Sequence, residues 1–72
     1  MATTIPNLDR LEELRGQKVK LLLNDGQSYI CVPRDYVPLR GSVGYALEIA
    51  EGEDQGYFLE VMEDEIKEIQ II

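Results

Sequence analysis

The amino-acid sequence predicts an all-β domain in which one short N-terminal helix precedes five strands wound into a strongly bent barrel. Every second residue is apolar in Val19, Leu21 and Leu23, which is the period of a strand with one buried face. The residues at 24–26, NDG, tolerate the positive φ values of a tight turn, and a second β-prone run follows at 29–32. These features predict a β-hairpin on which the rest of the chain packs.

The length of 72 residues allows a single domain, 1–72, with the helix over 4–15 and the barrel over 18–72. A chain of this size buries only about 60% of its unfolded surface, so a disulfide, a metal ion or a partner subunit commonly stabilises it. One cysteine, Cys31, and no histidine exclude an intrachain disulfide and a cysteine-based zinc site. Oligomerisation is the stabilising device that remains.

The charge is distributed unevenly along the chain. Fourteen acidic and seven basic side chains give a net charge of −7. Residues 1–45 hold six bases and five acids, net +1, whereas residues 46–72 hold one base and nine acids, net −8. This balance opposes nonspecific binding to nucleic acid, DNA included, which depends on Lys and Arg neutralising phosphates. The acidic half is interpreted as a solvated face or as a surface for a basic partner.

The sequence contains no segment that predicts a membrane or secreted location. No apolar run approaches the roughly 18 residues that a membrane-spanning helix needs. The first ten residues, MATTIPNLDR, lack the charged and apolar regions of a secretion signal. We therefore expect a soluble cytoplasmic protein in a reducing compartment, with no membrane partner.

The N-terminal helix is predicted to dock on the sheet. Leu8, Leu11 and Leu14 recur at three-residue spacing and form one apolar stripe. Thr4 or Asn7 can cap its first turn. A helix this short is not stable in isolation, so its leucines must pack on the strands.

The segment 33–44, PRDYVPLRGSVG, is predicted to be a long loop. Its prolines and glycines make a poor strand interior, and Pro33 is expected to end the second strand. Long ordered loops in small domains are commonly functional, although a tolerated insertion without function is an equal alternative. The candidate ligand or RNA contacts of this loop are Arg34, Asp35, Tyr36 and Arg40.

Three further strands are predicted at 45–49, 57–62 and 66–72. Odd-numbered positions of the first two are expected to face the core, so that Tyr57 lies on the same face as Leu59 and Val61. A helix followed by five strands with mostly tight turns is typical of a small SH3-like barrel.

The last predicted strand has isoleucine on both faces. Ile69 and Ile71 share one face, and Ile66 and Ile72 share the other. Such a strand must be covered, either by closing the barrel or by pairing with a neighbouring subunit. The candidate oligomer-interface residues are Leu22, Phe58, Ile66, Ile69, Ile71 and Ile72.

The sequence contains no pattern that predicts catalysis, a cofactor or a metal site. Without histidine, the common nucleophile–base pairs cannot form, and Cys31 lies among apolar residues as an inert buried thiol. The acidic turns at 51–54 and 63–65 do not have the spacing of a calcium-binding loop and are interpreted as solvated. We therefore expect a non-enzyme.

Four stretches carry a family resemblance: LDRLEELRG at 8–16, KVKLLLNDGQSYICV at 18–32, YALEIAEGE at 45–53 and YFLEVMEDEIKEI at 57–69. Their order, one helix and five strands with a short last turn, resembles the Sm-like (LSm) family. The resemblance implies a strongly bent barrel. It also implies a tendency to form rings in which the fourth strand of one subunit pairs with the fifth of the next.

The resemblance does not extend to the RNA site of that family. Members that bind RNA carry an Asp–aromatic–Asn cluster after the second strand and an Arg-Gly pair at the last turn. Here the last turn is Met62-Glu63-Asp64, and Pro38, or Ala46 under another alignment, stands where the asparagine belongs. The uracil pocket is therefore incomplete.

Three functional hypotheses follow. The first is a homo-oligomeric Sm-like barrel that acts as a scaffold or protein-interaction module. The second is weak single-stranded RNA binding by a degenerate ring, since tyrosine and arginine can stack on bases. The third is an acidic mimic of nucleic acid that occupies a basic partner through residues 48–68.

Overall fold

The computed structural model describes residues 4–72 as five antiparallel strands in one sheet with one short α-helix. The predicted all-β class with an N-terminal helix is therefore confirmed. The elements are α1 (Pro6–Glu13), β1 (Val19–Leu23), β2 (Ser28–Leu39), β3 (Ser42–Ile49), β4 (Phe58–Met62) and β5 (Ile66–Ile71), and a single 3-10 turn (Glu63–Glu65) joins β4 to β5.

The strand order across the sheet is β4-β3-β2-β1-β5. Strands β1 to β4 are paired in sequence order, and β5 returns to pair with β1. Strands β4 and β5 are consequently the two edges of the sheet. They are also consecutive in the chain, so the short 3-10 turn connects one edge to the other.

The prediction of a long loop at 33–44 is wrong. Strand β2 continues through Pro33 and Pro38 to Leu39, and a two-residue turn at Arg40-Gly41 leads directly into β3. Both turn residues have the positive φ of a hairpin turn, 51° and 76°. Strand β1 pairs with β2 only as far as Cys31, so the later part of β2 has a sheet neighbour on one side only. Prolines are tolerated there because no ladder is needed on the other side, and a bulge follows Pro33.

The core lies between α1 and the inner face of the sheet. The helix leucines are buried as predicted, and Leu8 and Leu11 are fully buried. The alternation predicted in β1 is also confirmed, since Val19 and Leu21 belong to the same buried cluster. Its strand members are Val19, Leu21, Cys31, Tyr45, Leu47, Val61 and Ile66.

The N-terminal cap of α1 differs from the prediction. Ile5 occupies the cap position and makes no side-chain hydrogen bond, so the predicted caps Thr4 and Asn7 are wrong. The backbone N–H groups of Asn7 and Leu8 instead donate to the carboxylate of Glu63. The cap comes from the turn between β4 and β5 rather than from the helix itself.

A register shift in the β1–β5 ladder changes the predicted faces of the last strand. Glu68 lies opposite Leu22, but Ile66 lies opposite Leu23, so one residue of β5 is bulged out. Because a shift of one residue exchanges the faces of a strand, Ile66 points into the core on the same side as Ile69. Ile66, predicted as an interface residue, is therefore buried in the core of the single chain.

Candidate interaction edges of the sheet

The exposed apolar side chains of the described residues are concentrated at the two sheet edges. The large hydrophobic residues that remain exposed are Tyr57 (69%), Phe58 (60%), Ile71 (54%) and Ile72 (62%). Phe58 and Ile71 are in β4 and β5, and the other two residues lie next to these strands. Unpaired backbone groups and exposed apolar side chains therefore occur together at both edges.

The edge formed by β5 and Ile72 has no net charge. Ile69 is half-buried against the core, while Ile71 and Ile72 are exposed. Within β5, Lys67 and Glu68 are neighbouring charges of opposite sign. Of the other predicted interface residues, Leu22 is half-buried in β1, one strand in from this edge.

The edge formed by β4 has exposed aromatic rings on a fixed backbone. The N–H of Tyr57 donates to Asp54 O at 3.0 Å, and its carbonyl accepts from Ile49 N at 2.8 Å. Phe58 lies opposite Glu48 in the β3–β4 ladder. The sequence pattern predicts Tyr57 in the core, but β4 begins only at Phe58, so the ring of Tyr57 stays in solvent. The two glycines of the preceding turn, which delay the strand, were the available signal.

The four side chains predicted as a ligand loop do not converge on one site. Arg34 forms an ion pair with Glu48, with Nη2 and Oε1 2.6 Å apart. The hydroxyl of Tyr36 donates to Asp9, 2.7 Å away. Asp35 accepts a hydrogen bond from the N–H of Tyr36 through Oδ1. Each of these side chains is engaged within the chain.

Arg40 lies beside the turn that follows β4. Its guanidinium is 3.8 Å from the Glu65 carboxylate and 3.7 Å from Met62 Sδ. It lines an open cavity of about 400 Å³ whose other charged residues, Asp25, Asp64 and Glu65, are acidic. The cavity therefore has an excess of negative charge and does not suit a phosphate.

Two tyrosines, Tyr36 of the predicted ligand loop and Tyr45, which was not among the predicted site residues, connect the helix to the sheet. Tyr36 and Tyr45 pack edge to face with ring centroids 5.1 Å apart. The Tyr45 hydroxyl donates to Glu12, 2.6 Å away, as the Tyr36 hydroxyl does to Asp9. The hydrogen bond to Asp9 raises the pKa of Tyr36 to about 12. Burial, and then the bond to Glu12, raise the pKa of Tyr45.

The described residues show no clustered metal ligands. Within residues 4–72, no three His, Cys, Asp or Glu side chains are grouped so that they could hold a metal ion. Cys31 is buried as predicted, and burial raises the pKa of its thiol to about 11. A thiol with this pKa is protonated at neutral pH and is a poor nucleophile. No helix among these residues has the length and apolar character to cross a membrane.

Comparisons of the chain with protein-family models, with curated proteins and with solved structures found no match. The Sm-like resemblance therefore rests on the residue pattern alone.

Proposed function

We propose that this chain is a non-enzymatic small barrel of the Sm-like kind that forms homo-oligomers and acts as a protein-interaction module. The single observation that carries the proposal is the location of the exposed apolar side chains. Among the described residues, all four large ones lie in or beside the two strands that lack a second neighbour. An exposed apolar edge strand is a surface that proteins normally pair or cover.

The connection between the edges supports a bent, barrel-like sheet. In a flat sheet of five strands, the outer strands are about 19 Å apart at the usual strand spacing. The chain from Met62 to Ile66 has only four Cα–Cα steps, which span at most about 15 Å. Because these residues link β4 directly to β5, the sheet has to curve so that its edges approach one another.

We place the subunit contact at the edge of β5. Strand β5 holds one base and one acid in direct sequence, so two copies of it can pair without an excess of like charge. Self-pairing around a two-fold axis is also the commonest symmetry of soluble homo-oligomers. The side chains of Ile71 and Ile72 would be buried away from solvent in such a contact.

Weak RNA binding receives less support from the geometry. Of the arginines that would contact RNA, Arg34 is paired with Glu48 and Arg40 lies beside Glu65. Neither guanidinium is free to neutralise a phosphate without breaking an existing contact. The contacts of these arginines therefore favour the interaction module.

The test is the molar mass in solution, measured by size-exclusion chromatography with light scattering. We expect a mass above that of the monomer for the parent chain, and monomers for Ile71→Lys. Gln17→Lys adds the same charge at an exposed position outside the strands and should keep the parent mass. A monomeric parent chain at micromolar concentration would refute the proposal.

Phe58→Lys identifies the arrangement of the subunits. It should leave the mass unchanged if β5 pairs with β5. It should dissociate a ring in which β5 pairs with β4, the arrangement that the Sm-like resemblance implies. Ile71→Lys should dissociate both arrangements.

A further inference from the structure

The edge of β4 remains open in the contact proposed above. Within residues 4–72, strand β4 is hydrogen-bonded to β3 on one side and has no strand on its other side. The backbone before it is held by the two hydrogen bonds of Tyr57, so the edge is preformed. Such an edge can accept one further strand through main-chain hydrogen bonds.

The turn before β4 and the strand itself carry only negative charge, and Arg40, which contacts Met62 at the end of the strand, is paired with Glu65. Residues 53–60, EDQGYFLE, contain three acids and no base, and no Lys or Arg occurs between residues 41 and 66. Glu53, Asp54 and Glu60 are exposed, and the ion pairs of the described residues do not include them. Free carboxylates beside an open backbone edge favour a cationic partner.

The exposed rings suit the same partner. Tyr57 and Phe58 lie between these carboxylates in the sequence, and more than half of each side chain is in solvent. The face of an aromatic ring attracts Lys and Arg, and the attraction is stronger when carboxylates nearby raise the local concentration of cations. An apolar partner alone would leave the carboxylates without a counter-charge.

We propose that the edge of β4 binds an extended segment of another protein that is rich in Lys and Arg and that adds to the sheet as a sixth strand. This inference rests on the proposed function, since it names the partner of the interaction module. The main chain of the segment pairs with Phe58–Met62. Its basic side chains contact the rings of Tyr57 and Phe58 and the three carboxylates.

A second copy of the chain does not provide this chemistry. The free edge strand β5 contains a single base, Lys67, next to an acid. The other lysines near a strand, Lys18 and Lys20, lie before and within β1, which already has neighbours on both sides. Each copy also carries a net charge of −7, so a second copy brings repulsion where a basic segment brings attraction.

The experiment uses fluorescence anisotropy with a labelled peptide of alternating arginine and valine, and an equally long glutamate–valine peptide as the control probe. The test variant neutralises the edge (Glu53→Gln, Asp54→Asn, Glu60→Gln). The matched variant removes three acids elsewhere (Glu13→Gln, Asp25→Asn, Asp64→Asn). Both variants have the same net charge, so they separate local recognition from general attraction.

We expect the arginine peptide to bind the parent chain and the matched variant with similar affinity, and the edge variant at least about tenfold more weakly. Phe58→Ser should weaken binding about threefold to tenfold through the lost ring. Amide hydrogen exchange should slow in β4, and not in β5, when the peptide is bound. The glutamate–valine peptide should not bind.

Three results would overturn the inference. The first is equal loss of affinity in the two charge variants, which would show attraction to net charge alone. The second is protection of β5 instead of β4. The third is dissociation of the oligomer by Phe58→Lys, which would show that a second copy covers β4. In this last case the proposed oligomer stands. A monomeric chain that still binds the peptide at β4 would refute the proposed homo-oligomer and leave the inference about β4 in place.

Discussion

The carboxylate of Glu63 caps the helix at Leu8, with Oε1 3.1 Å from the backbone nitrogen of that residue. Both oxygens of the same carboxylate also accept the N–H of Asn7, at 3.0 and 3.1 Å. One side chain from the turn between the two edge strands therefore supplies the helix cap that α1 lacks. The negative charge also lies at the positive end of the helix dipole.

Glu63→Ala should lower the free energy of unfolding by about 1 kcal/mol, because two backbone donors of the first helical turn lose their acceptor. Urea unfolding followed by far-ultraviolet circular dichroism measures the change. Glu13→Ala removes an exposed acid from α1 and should have little effect. Equal unfolding midpoints for the two variants would contradict the capping role.

Tyr45→Phe should cost about 1 kcal/mol in urea unfolding. The ring is fully buried and stays in place, but the carboxylate of Glu12 loses the hydroxyl that donates to it at 2.6 Å. Tyr57→Phe removes a hydroxyl from an exposed ring and serves as the control. If both substitutions change stability equally, the bond to Glu12 does not contribute.

Stability should fall as the pH rises from about 10 to about 12. The hydrogen bond to Asp9 raises the pKa of Tyr36 to about 12, above the value near 10 of an unfolded tyrosine. In that interval the folded state binds more protons than the unfolded state, so the free energy of unfolding decreases with pH. The stabilising contribution of Tyr36 is complete below about pH 10 and is lost as the pH rises to about 12.

The alkaline loss is assigned by substitution. Tyr36→Phe should reduce the slope of unfolding free energy against pH, measured by urea titrations at several alkaline pH values. Cys31→Ala is measured in the same way, because burial raises the pKa of the Cys31 thiol to about 11 and stability should therefore also fall as this thiol ionises. An unchanged slope in Tyr36→Phe would contradict the role of the tyrosine.

Gly44→Ala should destabilise the sheet by about 1–3 kcal/mol. A Cβ atom at Gly44 would lie 2.8 Å from Leu39 Cδ2 and 2.9 Å from the carbonyl oxygen of Val61. The carbonyl belongs to a paired strand and cannot move aside easily. Ser42→Ala, at an exposed position of the same strand, is the control in thermal unfolding. A melting temperature equal to that of the control would show that β3 and β4 can separate locally at low cost.

Salt should act in opposite directions on the two proposed interactions. Self-association of chains with a net charge of −7 is opposed by repulsion, which salt screens over a Debye length of about 10 Å at 0.1 M. Added sodium chloride should therefore raise the molar mass in light scattering and lower the affinity for the arginine–valine peptide. A rise of both with salt would contradict the electrostatic basis of peptide binding.

The sequence pattern correctly predicted the burial of apolar side chains that recur at a regular spacing. The stripe of Leu8, Leu11 and Leu14 and the alternation in β1 are patterns within a few residues, and the structure buries them as predicted. It also selected Phe58 and Ile71, which lie exposed at the edges. It misplaced Tyr57, because the start of a strand depends on where its partner strand begins to pair.

Amino-acid composition alone could not predict how far β2 extends. Proline is unfavourable in a strand with neighbours on both sides, and the prediction of a loop at 33–44 assumed such a strand. The tertiary structure ends the pairing with β1 at Cys31, so that the prolines of β2 do not interrupt a second ladder. Whether a proline breaks a strand depends on its neighbours, which local sequence does not specify.

The amino-acid sequence by itself determined the class of the fold, the core face of the helix and the excess of acid in the second half of the chain. Each of these depends on composition or on spacing over a few residues. The tertiary structure alone decided which strands are edges, the burial of Ile66 and the capping of α1 by Glu63. These features depend on pairing between distant residues, and the carboxylate and Asn7 are 56 positions apart in the chain. The free energy of such contacts arises only when the whole sheet is assembled.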